Sequence, residues 1–178
     1  MKFLKKLGIT LGAIIAFLLV LSFLLPTTIK VERDMVIATE PEVVYNYVND
    51  LRNWERWSYW HTLDPGQKLI YSQNPVGKGA FYKWDGEINQ TGTITVDSIE
   101  TNKAVYYTMQ FADWTPNACA ATFEPVSGGV KVTMKMEMHS KPPMNLMMNL
   151  FQGEIAADYE KCLVRMDSVA NYDRAKAN

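Results

Sequence analysis

Between residues 143 and 172 apolar side chains return in steps of three and four, at Met148, Phe151, Ile155, Tyr159, Cys162, Met166 and Val169. That spacing gathers them on one stripe of a single long helix, while Glu154, Asp158, Glu160, Lys161, Arg165 and Asp167 fall largely elsewhere. Pro142 and Pro143 open it, where a missing amide donor costs least, and Gly153 near its start is the one glycine inside. A helix this long with one apolar face needs a broad apolar surface to lie on, and the preceding residues have to supply it.

Their pattern is that of a sheet. Segments 29–38, 68–73, 80–85, 92–100, 104–111, 118–124 and 130–139 read as strands. From the second onward, turn signals divide them: Asn74-Pro75 with Gly77 and Gly79, Asp85-Gly86, Thr101-Asn102, residues 114–117, and Ser127-Gly128-Gly129. Close sequential strands with short turns make an antiparallel meander. Side chains alternate across a strand, so Lys131, Thr133, Lys135, Glu137 and His139 mark the outer face of the last segment. Val130, Val132, Met134, Met136 and Met138 are then its inner face, and the same parity turns Val105, Tyr107, Met109, Phe111, Ala121 and Phe123 inward. In segment 80–85 it favours Ala80, Tyr82 and Trp84 inside. Between the first two strands, Thr39-Glu40-Pro41-Glu42 reads as a helix start with Thr39 as cap and Pro41 just inside. Val43, Val44, Tyr47 and Val48 give that short helix its packing face, and residues 49–60 begin as a second one that breaks near Ser58. The fold class is α+β: about seven antiparallel strands wrapped around a long C-terminal helix.

At the other end, Lys2, Lys5 and Lys6 precede a run without charge from Leu7 to Leu25. Its nineteen residues span ~28 Å as a helix, close to the ~30 Å thickness of bilayer hydrocarbon. A cleaved signal peptide is the competing reading, but its apolar region is usually about 7–15 residues. The segment Leu24-Leu25-Pro26-Thr27-Thr28 also lacks a small-x-small cleavage site. The expectation is therefore a single-pass membrane anchor within residues 1–28, a globular domain over 29–173 and a frayed tail over 174–178. Lysines before the span and cancelling charges after it keep the N-terminus cytoplasmic and the domain outside, periplasmic or at the cell surface in a bacterium. Without those three lysines the chain keeps 15 of its 18 basic residues against 19 acidic ones, about −4 for the domain. Such a balance excludes nucleic acid as the expected partner and gives no attraction to an anionic membrane face, leaving the tether to hold the domain there.

Strand, two short helices, six-stranded meander and long C-terminal helix form the helix-grip order, and here the chain resembles the START-like superfamily, which includes Bet v 1 and the polyketide cyclase/dehydrase and lipid-transport group. The resemblance is carried by Val31-Glu32-Arg33, by residues 38–44 (ATEPEVV) and by residues 49–58 (NDLRNWERWS). Further on it is carried by Tyr71-Ser72, Gly77-Lys78-Gly79-Ala80, Trp84-Asp85-Gly86, Phe123-Glu124-Pro125 and residues 129–133 (GVKVT). It implies an apolar cavity between sheet and helix for lipids, sterols or polycyclic compounds. It does not fix a chemistry, because some relatives are enzymes and many only bind or carry.

The expected partner is thus a hydrophobic small molecule or lipid, with the membrane met through residues 7–25; the sequence names no protein partner. Cavity candidates from the sheet and the aromatic segment are Trp60, His61, Tyr82, Trp84, Tyr107, Met109, Phe111, Met134 and Met136. From the helix they are Met144, Met147, Met148 and Phe151, a dense and adaptable end where a ligand portal is expected. Trp57, and with it Trp54, is expected in the core, and the inner methionines serve equally as core filling. No catalytic residue, metal or cofactor is assigned, because His61 and His139 lie in no metal spacing and no Gly-rich phosphate loop or GxSxG elbow occurs. His139 belongs to an outer face, whereas His61 follows the aromatic cluster and can reach a cavity mouth. Cys119 and Cys162 both point inward, as two small buried residues or as a pair that an oxidising compartment permits to bond. Two other functions stay open: an enzyme of the cyclase/dehydrase or hydrolase kind drawing on His61 or Tyr82, and a filled domain acting through its surface.

Overall fold

The computed structural model describes residues 2–177, with side chains for residues 3–176. Alternating segments give strands β1 (Thr28–Ile37), β2 (Lys68–Tyr71), β3 (Phe81–Asp85), β4 (Thr91–Glu100), β5 (Ala104–Phe111), β6 (Asn117–Val126) and β7 (Gly129–His139). They form one antiparallel sheet in the order β1-β7-β6-β5-β4-β3-β2, a meander closed at one edge by the N-terminal strand. The β6–β7 hairpin turns at Ser127-Gly128, where Gly128 takes φ +91°. Such a backbone is open to glycine at little steric cost. Parity holds across the sheet: Val130, Val132, Met134, Met136, Met138, Val105, Tyr107, Met109, Ala121 and Phe123 are all buried.

Against this face lies α5 (Asn145–Ala177), which buries Ala156, Tyr159, Cys162, Leu163, Met166 and Ala170. Each large side chain so buried contributes about 1.5–3 kcal/mol. The helix starts later than the prolines suggest, because residues 142–144 form a turn entered through a cis Pro142–Pro143 bond. The apolar stripe also splits in two. Its middle and far parts are core, whereas Met144, Met147 and Phe151 at the near end are exposed. At the far end the helix runs to Ala177, and Arg174 donates to the Ala38 carbonyl at 2.6 Å; Asn178 lies outside the described residues.

Two short helices brace the sheet. In α2 (Pro41–Asn49) Val44, Tyr45 and Val48 are buried, and Tyr45 meets Phe123 edge-on at 6.0 Å. Its cap position is held by Glu40, without a side-chain cap bond, because the Thr39 amide is turned back onto the Ile37 carbonyl at 2.8 Å. After a 3₁₀ turn (Leu51–Asn53), α3 (Trp54–Trp57) sends both indoles into the core. Trp54 donates to the Val48 carbonyl and Trp57 to that of Tyr47, each at 2.9 Å. The chain breaks at Ser58 and makes one further turn, α4 (Trp60–Leu63). The remaining helix, α1 (Lys2–Leu24), stands apart with its apolar side chains exposed. Among the described residues it is the one helix long and apolar enough to cross a membrane, and a signal sequence would satisfy the same test.

The far end of α5 is fastened by Asp173, which accepts from the Tyr47 hydroxyl at 2.8 Å and from the Arg56 guanidinium at 2.6 Å. The Arg56 hydrogen bond holds the Asp173 carboxyl below its usual range. Burial, then the contact with Asp173, pushes the Tyr47 phenol up to about 12. A depressed carboxylate stabilises the fold above the unfolded value of about 3.9 and stops doing so as pH falls through the lower native value. The partly exposed Arg56–Asp173 pair limits the effect to about 1 kcal/mol. Asp173→Ala should therefore lower the urea midpoint at pH 7 and converge with the parent as pH falls through the lowered native value of that carboxyl; an unchanged midpoint at pH 7 contradicts this.

Candidate functional site

Where sheet and α5 face each other, side chains fill the space. Tyr107, Met109, Met134 and Met136 are buried there, as are Tyr159 and Met166. Burial raises the phenols of Tyr82, Tyr107 and Tyr159 well above their ordinary value, so these groups stay neutral. Cys119 and Cys162 are free, and burial pushes each thiol up to about 12, which removes them as nucleophiles near neutral pH. Each has its own partner: Tyr159 Oη donates to Cys119 Sγ at 3.9 Å, and the Tyr59 amide to Cys162 Sγ at 3.2 Å.

A small, partly open void of about 40 Å³ is bounded by Trp60, Tyr82, Trp84, Ile94, Met109 and Phe111 together with Ser58, Gln67 and Asn89. It has room for a water, whereas pockets for drug-sized ligands run to about 300–1,000 Å³. The large chamber implied by the sequence resemblance is therefore closed in this structure, because the methionines and aromatics expected to line it occupy it. The void is edged by polar groups. Asn89 Nδ2 donates to the Trp60 carbonyl and to Gln67 Oε1, while the buried Ser58 hydroxyl has no hydrogen-bond partner among the described residues. His61 does not line it but stands beside Tyr82, with ring centroids 5.9 Å apart. Both His61 nitrogens are buried without a partner among the described residues, and burial lowers its pKa, keeping the ring neutral.

The roomier site is an open groove of about 330 Å³ between the first turns of α5 and the loop after β5. Met144, Met147 and Met148 form one wall; Asp113, Trp114 and Thr115 form the other, with Asn117, His139 and Ser140 between them. His139 lies outward on its strand, sharing Nδ1 with Thr28 Oγ1 at 3.0 Å and Nε2 with Glu137 at 3.2 Å. Phe151 stands exposed one turn further along α5. Void and groove share a partition: Met109 borders the void, Asn117 borders the groove, and the two are cross-strand partners joined by Asn117 Nδ2 donating to the Met109 carbonyl at 3.3 Å.

The candidates thus separate into three groups. Trp60, Tyr82, Trp84, Met109 and Phe111 surround the small void, Met144, Met147 and Met148 wall the groove, and Tyr107, Met134 and Met136 are packed core. Sequence reasoning missed Trp114, read only as part of a turn, although a tryptophan in a polar loop is itself a sign of a contact surface. It missed Asn117 as well, which carries no signal until the strands are paired.

The family model for polyketide cyclase / dehydrase and lipid transport matches residues 28–171. No curated protein matches the sequence. Among solved structures, the chain is similar to DynU16 of the dynemicin biosynthetic locus, with TM-score 0.59, 15% identity and coverage of 80% of this chain and 47% of that one. It is similar to the di-domain aromatase/cyclase StfQ of the steffimycin pathway, with TM-score 0.66, 13% identity and coverage of 84% and 52%. A protein of unknown function from Staphylococcus aureus gives TM-score 0.63, 16% identity and coverage of 83% and 96%. The chain therefore spans about half the length of the first two. At these identities the likeness is one of fold, the Bet v 1-like helix grip.

The void's aromatic wall depends on Gly92, which lies opposite Trp84 in the sheet. A Cβ there would fall within the Trp84 ring and 2.6 Å from the Gln110 carbonyl oxygen. Gly92→Ala should destabilise the domain by about 1–3 kcal/mol through overpacking, read as a lowered urea midpoint with an unchanged slope; an unmoved midpoint would show that Trp84 is free to leave its place.

Proposed function

We propose that this chain, which belongs to the polyketide cyclase/dehydrase and lipid transport family, is a membrane-tethered domain that binds a lipid or comparable hydrophobic molecule. The supporting observation is the methionine-walled groove at the start of α5, an open concavity of about 330 Å³ that adjoins the filled interior through Met109 and Asn117. Thioether side chains are flexible and polarizable, so they fit acyl chains or ring systems of varied outline. Met109 and Asn117 separate groove from void, and a ligand pressing between them extends the groove inward. The apolar helix α1 supplies the tether, and the lysines ahead of its uncharged run favour a domain on the extracytoplasmic side. Burial raises both thiols, which removes them as nucleophiles near neutral pH and leaves the apolar groove as the feature that favours binding.

The full chain in detergent should bind a fluorescent single-chain fatty acid. Met147→Lys should weaken binding about tenfold or more, a loss of about 1.4 kcal/mol, because it places a charge on the apolar wall. Met134→Leu, a core substitution of similar volume, should leave it within about twofold. Equal affinity in all three proteins would remove the groove as the site.

A cyclase- or dehydrase-type activity has one observation in its favour: the neutral His61 ring, buried beside Tyr82 with neither nitrogen satisfied among the described residues. A neutral imidazole is competent as a general base. On that reading a chain carrying both His61→Ala and Tyr82→Phe should lose turnover of a polyketide-type substrate by about 100-fold or more, and unchanged turnover dismisses the pair.

A further inference from the structure

A helix leaves its last carbonyls without intrahelical partners, and in a low-dielectric surrounding each unpaired carbonyl is costly. At the end of α1 one such carbonyl, that of Ser22, is met by a side chain 123 residues later, together with the first two carbonyls beyond the helix. Asn145 Nδ2 donates to the carbonyls of Ser22, Leu25 and Pro26 at 2.7, 3.2 and 3.4 Å, and Asn149 Nδ2 donates to Pro26 at 3.0 Å. Asn145 is fully buried in this joint, and Ser140 donates its amide to the Thr27 carbonyl alongside it at 2.9 Å. The connection between anchor and domain is therefore a packed junction rather than a free linker.

The junction fixes a depth. Ser22 lies about one turn before Leu25, the last residue ahead of Pro26, roughly 4–5 Å along the helix axis. A side chain hydrogen-bonded to the Ser22 carbonyl shares that depth, so the first turn of α5 is level with the last turn of α1 at any tilt. What this region exposes is apolar: Leu150 is 69% exposed, Trp114 59%, and Met144, Met147 and Phe151 nearly half. From Asn145 to Gly153 α5 carries no charged side chain, whereas from Glu154 onward charges recur. Asp113 and Lys141 at the rim offset each other, so the patch has no net charge with which to select anionic lipid.

We propose that the first turns of α5 and the Trp114 loop form a membrane-contact surface, seated in the headgroup–acyl boundary of the bilayer that α1 enters and held there by Asn145. The occupant is bilayer lipid, because the patch is continuous with a helix whose own exposed apolar surface requires lipid. Tryptophan is suited to that boundary, with an apolar ring and a polar edge. The groove then opens at the depth of the acyl chains, so a ligand enters without crossing water. The proposal rests on α1 being a membrane span.

The test uses the full chain in phosphatidylcholine nanodiscs, with a single nitroxide label in turn at Ile14, Trp114, Leu150 and Ser127. Ser127 lies at the opposite end of β7 from His139 and serves as the remote site. Collision with oxygen and with a water-soluble nickel chelate reports each label's surroundings. Labels at 14, 114 and 150 should favour oxygen, while the label at 127 should favour nickel by about fivefold or more. Adding Asn145→Ala and Asn149→Ala should leave label 14 in lipid and shift label 150 toward nickel by severalfold. Labels 114 and 150 matching 127 while 14 stays in lipid would overturn the contact surface and leave the tether standing. A water-exposed label 14 would overturn both.

Discussion

The inward faces of β5, β6 and β7 and the middle of α5 exclude water from one another, and the other elements are placed by that contact. It arises from two periodicities in one chain, two residues per repeat in the strands and about 3.6 in the helix, which turn every core side chain to the same side. The run Val130, Val132, Met134, Met136 and Met138 meets Tyr159, Cys162, Leu163, Met166 and their neighbours with little space between. Trp54 and Trp57 cover the remaining edge, and their indole donors are spent on the Val48 and Tyr47 carbonyls.

With the interior filled, the proposed function falls to the ends of α5. At the far end of α5, charge and hydrogen bonds hold the helix down: Asp173 to Tyr47 and Arg56, and Arg174 to Ala38. At the near end methionines stand free and the polar stripe of Asn145 and Asn149 is turned onto the end of α1. One helix thus has a fastened end that sets its position and an uncharged end that faces the groove and α1. Small displacement of the exposed methionines costs little core packing, because the fully buried apolar part of the helix begins at Ala156, while Asn145 is buried against the end of α1 instead. On the proposed function, this gives the family fold a binding site without a permanent cavity.

Much of this was legible in the sequence, and its limits have physical causes. Parity identified the inner methionines because every second residue of a one-sided sheet meets the same environment, a rule that needs no tertiary information. It likewise turned Cys119 and Cys162 inward, but whether they bond depends on positions in space, and each proves to have a separate neighbour. The stripe on α5 indicated a long helix, yet periodicity is blind to where the supporting surface stops, so Phe151 looked equivalent to Tyr159 while one is exposed and the other buried. Thr39 carried the residue type of a cap but lost the position when its amide closed a turn with Ile37. Asn145 was silent, since its partners lie about 120 residues earlier and become neighbours only when β1 pairs with β7.

The central claim is that the domain holds one hydrophobic molecule at the near end of α5. Native mass spectrometry of the full chain, released intact from lipid nanodiscs of known composition, tests it most directly. The account predicts a population heavier than the bare chain by the mass of one acyl-bearing molecule, depleted when a single-chain fatty acid is added in excess. Bare chain alone, or a spread of many lipids per chain that added fatty acid does not change, would contradict it.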